Sequence, residues 1–423
     1  MVSRSWLLAL ALASAASAEV TYNKDVSRIM QGKCVQCHRP NDIAPFSLAT
    51  YEDASTWAED IQRVVSERIM PPWKPSGDLS QFKDAYGLTD EERRTLLNWV
   101  ADGAPQGEEA DAPAAQPVST SPWELGEPDL ILAMPEFAPS PRVTDTYRCF
   151  VLPTGFTETK YVSAVQSLPG DRQITHHVLL FIDDKGEAEK LDGKDGKPGY
   201  TCFGGPGFDL SIGGLIGGWA PGTRTRRLPE DIAMPVPKNA RIVMQVHYHP
   251  SGREGVDRTQ VGFYFSNPDK VNRRLINIPL VNDTFKIPAG AENYEVQASQ
   301  FVPALLSAKA ITVAPHMHLL GRTIRVEVKD SNGEVRPMIN IDNWDFNWQG
   351  FYTFTEPVAL PANSTVRLVA TYDNSANNPK NPNNPLVPVE WGERTTDEMA
   401  LAFLGVVFDY EALLPFQKGA VTR

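Results

Sequence analysis

Arg241-Ile-Val-Met-Gln-Val-His-Tyr-His249 repeats with the period of a β-strand and is rich in β-branched and apolar residues. Thr323-Ile-Arg-Val-Glu-Val328 and Thr365-Val-Arg-Leu-Val-Ala-Thr-Tyr372 read the same way. Gly, Pro, Asn and Asp punctuate these runs, and the chain holds 35 prolines and 30 glycines. The pattern holds from Trp123 onward, too long a stretch for one sandwich of ordinary size. Two all-β, jelly-roll-like sandwiches are therefore expected, at 124–275 and 276–423, with the break near residues 270–285. No clear internal repeat is visible.

Outward from the strands the pattern changes. Residues 19–103 read as a small all-α domain. Trp57, Ile61, Val64, Val65 and Ile69 recur at helix spacing. A later helix begins at Thr89, where Glu92 completes a capping box, and ends at Gly103. Residues 104–123 are Pro/Ala-rich and acidic with no apolar period, as in a tether. Residues 1–18 read as a secretory signal: Arg4, an apolar run from Trp6 to Ala13, then Ala16-Ser17-Ala18. A membrane anchor is the other reading, but the run is short for a bilayer span. Export to a periplasm or the extracellular space is expected, with no membrane span left after cleavage. The length of 423 residues calls for several domains, and a net charge of −12 argues against nucleic acid as a partner.

The chain has seven histidines, and six come in pairs: His176-His177, His247-Tyr-His249 and His316-Met-His318. Partners two apart on a strand share one face, so His247/His249 and His316/His318 each form a clamp for a metal. His176 and His177 would point to opposite faces unless a bulge or strand end intervenes. The seventh histidine closes Cys34-Val-Gln-Cys37-His38, the attachment pattern of a c-type haem. The two thiols would bind the haem covalently and His38 the iron. A disulfide or half of a zinc site is the alternative, but no further Cys or His follows before Cys149. Met70, in Ile69-Met70-Pro71-Pro72-Trp73, is the candidate sixth ligand, with Met30 as rival. If Cys34 and Cys37 hold haem, Cys149 and Cys202 remain, and an oxidising compartment would join them; two free thiols are the alternative. A redox neighbour favours copper over zinc for the histidine pairs.

The order N-terminal helix, CxxCH, methionine loop, C-terminal helix resembles small class I cytochromes c. A second resemblance covers about residues 124–423. Thr175-His-His-Val-Leu-Leu-Phe181, Met244-Gln-Val-His-Tyr248, Ala314-Pro-His-Met-His-Leu-Leu-Gly321 and Asp397-Glu-Met-Ala400 resemble, in order, the motifs of copper type II, ascorbate-dependent monooxygenases. Peptidylglycine α-hydroxylating and dopamine β-monooxygenases belong to that family. The resemblance implies two coppers: an electron-transfer copper on His176, His177 and His247, and an oxygen-activating copper on His316, His318 and Met399. It also implies that Gln245 lies near the first copper and that Cys149 and Cys202 pair. His249 is additional to the pattern and reads as a neighbour of the site or a surface residue, and Met317 reads as core. Ala314, Leu401 and Phe403 stand where the peptide-amidating branch has an arginine, an asparagine and a tyrosine, so the groups that hold a glycine carboxylate are absent.

The chain is thus expected to hydroxylate a C–H bond of a small-molecule or apolar organic substrate with dioxygen. Two copper ions and one covalent haem c would serve it. An external donor, ascorbate or a redox protein, would reduce the haem. The other reading is a haem/copper electron-transfer or copper-binding protein without substrate chemistry.

Overall fold

The structure, a computed structural model, describes residues 19–40, 44–83, 85–114, 121–211, 213–250, 252–304 and 306–409. The expected signal at 1–18 lies outside the described residues. Two compact units form: Met1–Pro71 with Tyr86–Val118, and Pro72–Ala85 with Ser119–Arg423.

The regular structure described in the first unit is helical. Tyr22–Val26, Ser27–Ile29 and Met30–Cys34 form successive helical turns, followed by Tyr51–Thr56, Ala58–Ser66 and Asp90–Ala101. The capping box is present: the Thr89 hydroxyl accepts from the Glu92 N–H, and the Glu92 carboxylate accepts from the Thr89 N–H. Val26, Met30, Leu96 and Trp99 fill the core. Ile69 falls outside its expected helix, because Arg68 takes a left-handed conformation (φ 59°) just past Ser66. The start of the expected tether is ordered. Pro105 and Gln106 carbonyls accept from the Tyr22 and Asn23 N–H groups, and the Trp99 indole donates to Pro105.

The second unit is β-rich and holds two sandwiches. In the first, one sheet runs Tyr200–Thr201, Thr146–Pro153, Arg241–Tyr248, Thr175–Asp183, Leu215–Trp219. Its mate runs Leu130–Ala133, Gln260–Phe265, Lys160–Leu168, Ile232–Val236, Arg273–Arg274. Phe150, Leu180, Met244 and Val246 of one sheet meet Val162, Val261 and Phe263 of the other. Arg241–Tyr248 is buried on both faces beyond its first residue, where alternation alone implies one wet face. Its second face is covered near Val243 by Phe181, Tyr200 and the Cys149–Cys202 disulfide.

The second sandwich pairs the sheet Ile276–Asn282, Ala400–Phe408, Ala308–His316, Tyr352–Leu360 with Tyr294–Phe301, Thr365–Tyr372, Gly321–Lys329, Val335–Ile341. The chain passes between sandwiches after Arg274, which pairs in the first, and before Ile276, which pairs in the second. Ile311 and Val407 of the second sandwich pack into the core of the first. Residues Pro72–Ala85, expected within the helical domain, instead pack with this unit: Phe82 is buried and bridges Phe354. No helix among the described residues is long and apolar enough to cross a membrane.

Candidate metal centre

Adjacent histidines reach one spot because the strand that carries them is irregular. Against Arg241–Tyr248, the register of Thr175–Asp183 shifts between Thr175 and His177. The shift lets the His176 and His177 side chains converge, with His177 paired opposite His247. Donor atoms of His176, His177 and His247 all lie within 4.8 Å of one another. Nδ1 of His176 is 3.2 Å from Nδ1 of His177, which is 3.4 Å from Nδ1 of His247. Burial, then the neighbouring imidazoles, hold His176 and His177 well below the ordinary histidine range. Both rings are therefore neutral at pH 7, with lone pairs available. Converging neutral nitrogens fit a cation that accepts several lone pairs at once.

Asp145 determines which nitrogen His247 offers. The Nε2 of His247 lies 2.9 Å from Asp145 Oδ1, which leaves Nδ1 facing His177. His249 places Nδ1 at 3.1 Å from the same oxygen, so it neighbours the set through a shared carboxylate. Thr395 of the second sandwich donates its hydroxyl at 2.7 Å and its N–H at 3.2 Å to Asp145. Burial alone would raise the Asp145 pKa, but hydrogen bonds from His247, His249 and Thr395 outweigh it and hold the carboxyl well below the usual range. Tyr147 stacks on His247 at 4.1 Å between ring centroids. Gln245 donates to the Cys202 carbonyl at 3.0 Å and so ties the strand to the disulfide loop.

His316 ends its strand, and His318 lies just beyond it rather than on it. Met317 between them is fully buried core. His316 Nδ1 meets Gln349 Oε1 at 2.5 Å, and His318 Nδ1 meets the Asp397 carbonyl at 3.1 Å. The Nε2 of each ring is left for a ligand role. Glu398 accepts from the N–H groups of His318, Leu320 and Met399 at 2.9, 2.6 and 3.1 Å. One buried carboxylate thus joins the His318 turn to Met399, itself buried. Burial brings His316 down to about 4 and His318 down to about 3.

The two sets are neighbours. Ring centroids of His177 and His316 lie 6.4 Å apart. Phe346 stacks on His176 at 4.4 Å and presents an edge to His318 at 5.7 Å. His177, His316 and His318 border one cavity of about 360 Å³, whose lining also includes Met399, Ala314, Leu401 and Phe403. No lysine or arginine is among its described lining residues.

In the helical unit, His38 Nδ1 lies 3.2 Å from the Phe46 carbonyl, which frees Nε2. The N–H groups of Cys37 and His38 return to the Cys34 carbonyl at 3.1 and 2.9 Å, a helical turn that gathers the motif. No disulfide joins Cys34 and Cys37. Burial pushes the Cys34 thiol up to about 12. Met30 is fully buried in the core, whereas Met70 is partly exposed. Nothing in the sequence marks Asp145, Gln349 or Phe346, since each is a single residue far along the chain from its partner, and Glu398 lies in the Asp397–Ala400 motif with no sign of its role.

Two outcomes follow from this geometry. Asp145→Ala removes the acceptor that orients His247, and copper binding at the three-histidine set should weaken by about 10- to 100-fold in a competition titration. For His316, folded and unfolded forms release the proton near 4 and 6.5, so the unfolded chain holds more protons between those limits. Its contribution to stability is complete above 6.5 and lost as pH falls toward 4, about 3 kcal/mol in all. Metal-free H316Q should therefore lose less stability than the unaltered chain between about pH 7 and 4.5 in thermal unfolding. Equal losses would contradict a buried, neutral His316.

No family model matches the chain. It is 25% identical over 251 residues to the human (Homo sapiens) DBH-like monooxygenase protein 1, a match covering 54% of this chain and 40% of that protein. The chain thus spans about two fifths of the length of that curated relative. Among solved structures, PNGase F from Flavobacterium meningosepticum is 12% identical with TM-score 0.24, covering 66% of this chain and 96% of that one. A structure of infectious bursal disease virus, Gx strain, is 11% identical with TM-score 0.18, covering 66% and 78%. Likeness that slight carries no inference. The sequence similarity supports the copper monooxygenase family and, at that coarse level, an oxidoreductase.

Proposed function

We propose that this chain is an exported copper-dependent monooxygenase that hydroxylates a C–H bond of an apolar organic substrate. One observation carries the reading: His177 of the three-histidine cluster lines the same largely apolar cavity as His316, His318 and Met399, and the three imidazoles are buried and neutral. Copper on His316, His318 and Met399 would activate dioxygen, and copper on His176, His177 and His247 would store an electron. Overall, dioxygen, two electrons and two protons convert R–H to R–OH and water.

The chain's own residues shape the rest. Gln349 and the Asp397 carbonyl orient His316 and His318 through Nδ1, and Asp145 orients His247 through Nε2. A thioether at Met399 suits the softer, reduced copper. Ala314, Leu401 and Phe403 make their part of the cavity wall apolar, and without a described cation the wall offers nothing to pair with a carboxylate. A covalent haem on Cys34 and Cys37, ligated by His38 and Met70, would bring single electrons from ascorbate or a redox protein. The disulfide is compatible with an exported protein.

The test is a screen of apolar substrates with the copper-loaded, reduced full chain, read by mass spectrometry for a one-oxygen gain that depends on dioxygen. His316→Ala and Met399→Ala should each cut product at least about 100-fold while the haem still reduces normally. Full activity in both variants would refute the roles given to these residues. Reduction and reoxidation with no oxygenated product from any substrate would favour an electron-transfer protein.

A further inference from the structure

The segment Pro72–Ala85 has a use that its place in the sequence does not announce. It follows Met70 and Pro71 in the chain, yet it packs on the second sandwich. Its far part is tied along that sandwich: the Ser76 N–H donates to the Asn340 carbonyl at 2.8 Å, the Gln81 amide to Met338 at 2.8 Å, and the Lys83 N–H to Thr353 at 2.8 Å. Phe82 supplies apolar cover against Phe354, at 5.4 Å between centroids.

Its near part does something different. Lys74 places its ammonium 3.3 Å from the Asp345 carboxylate, with the two side chains only 11% and 24% exposed. Trp73 meets Tyr352 edge-on, at 5.3 Å and 86°. Adjacent strap residues therefore hold both ends of the segment 345–352. That segment carries Phe346, stacked on His176, and Gln349, hydrogen-bonded to His316. Gln349 also donates to the Phe346 carbonyl at 2.8 Å, so the two move as one piece. A largely buried ion pair adds little net stability but fixes geometry, because each charge demands its partner in one place.

We propose that Trp73 and Lys74 are positioning residues for the His316/His318 metal site, acting through the two ends of the segment 345–352. The inference rests on the copper reading above. The stretch that supplies Met70 is then covalently continuous with the brace of the metal site.

The test uses the full chain loaded with copper, and its readouts are the Cu(II) paramagnetic resonance spectrum and copper affinity. Lys74→Gln should alter the signal of the His316/His318 set and weaken copper there about 10-fold, while haem absorbance stays the same. Lys74→Arg should restore the spectrum. Gln81→Ala, which loosens the strap away from 345–352, should leave it unchanged. Copper bound identically by Lys74→Gln and the unaltered chain would overturn the strap's role alone, as would an equal change in Gln81→Ala. No copper in the unaltered chain would overturn the metal reading and the strap with it.

Discussion

The Asp145 carboxylate holds two imidazoles of one sandwich and a hydroxyl of the other, and the proposed metal centre depends on it. Taking a carboxylate out of water costs several kcal/mol unless hydrogen bonds replace the solvent. Here His247, His249 and Thr395 replace it. His247 is held with Nδ1 toward His176 and His177. Thr395 lies in the same stretch as Asp397, Glu398 and Met399, so one carboxylate helps set the register of the two ligand sets. Glu398 does the equivalent job inside the second sandwich, joining the His318 turn to Met399.

Proximity follows from these links. With His177 and His316 centroids 6.4 Å apart, an electron passing between the proposed copper sites would have little distance to cover. His177, His316 and His318 meet the same cavity, so an apolar molecule seated there would lie beside the proposed oxygen chemistry. Packing of Ile311 and Val407 into the first sandwich's core keeps the sandwiches from drifting apart.

Much of this was legible because it is periodic or repeated. Alternation marked Arg241–Tyr248, Gly321–Lys329 and Thr365–Tyr372 as strands, and Thr89 with Glu92 marked a helix start. Pairing of histidines singled out the residues that the fold gathers. What was not legible acts over long range. Asp145 is 102 positions from His247 and Gln349 is 33 from His316, and nothing local distinguishes either from a surface residue. His318 was read as part of a strand because the two-residue spacing continued, but the chain turns after His316 to reach Glu398. Pro72–Ala85 was read with the helical domain by position, whereas its Trp73 and Phe82 find apolar partners on the second sandwich. Local pattern cannot say which surface an apolar side chain will cover.

The central claim is that the second ligand set is a copper site with a sulfur donor. X-ray absorption of the reduced, copper-loaded chain tests it most directly. A copper–sulfur component is expected beside imidazole nitrogens, lost in Met399→Ile with the nitrogen shell retained. A spectrum of nitrogen and oxygen alone in the unaltered chain, or a sulfur signal that survives Met399→Ile, would contradict it.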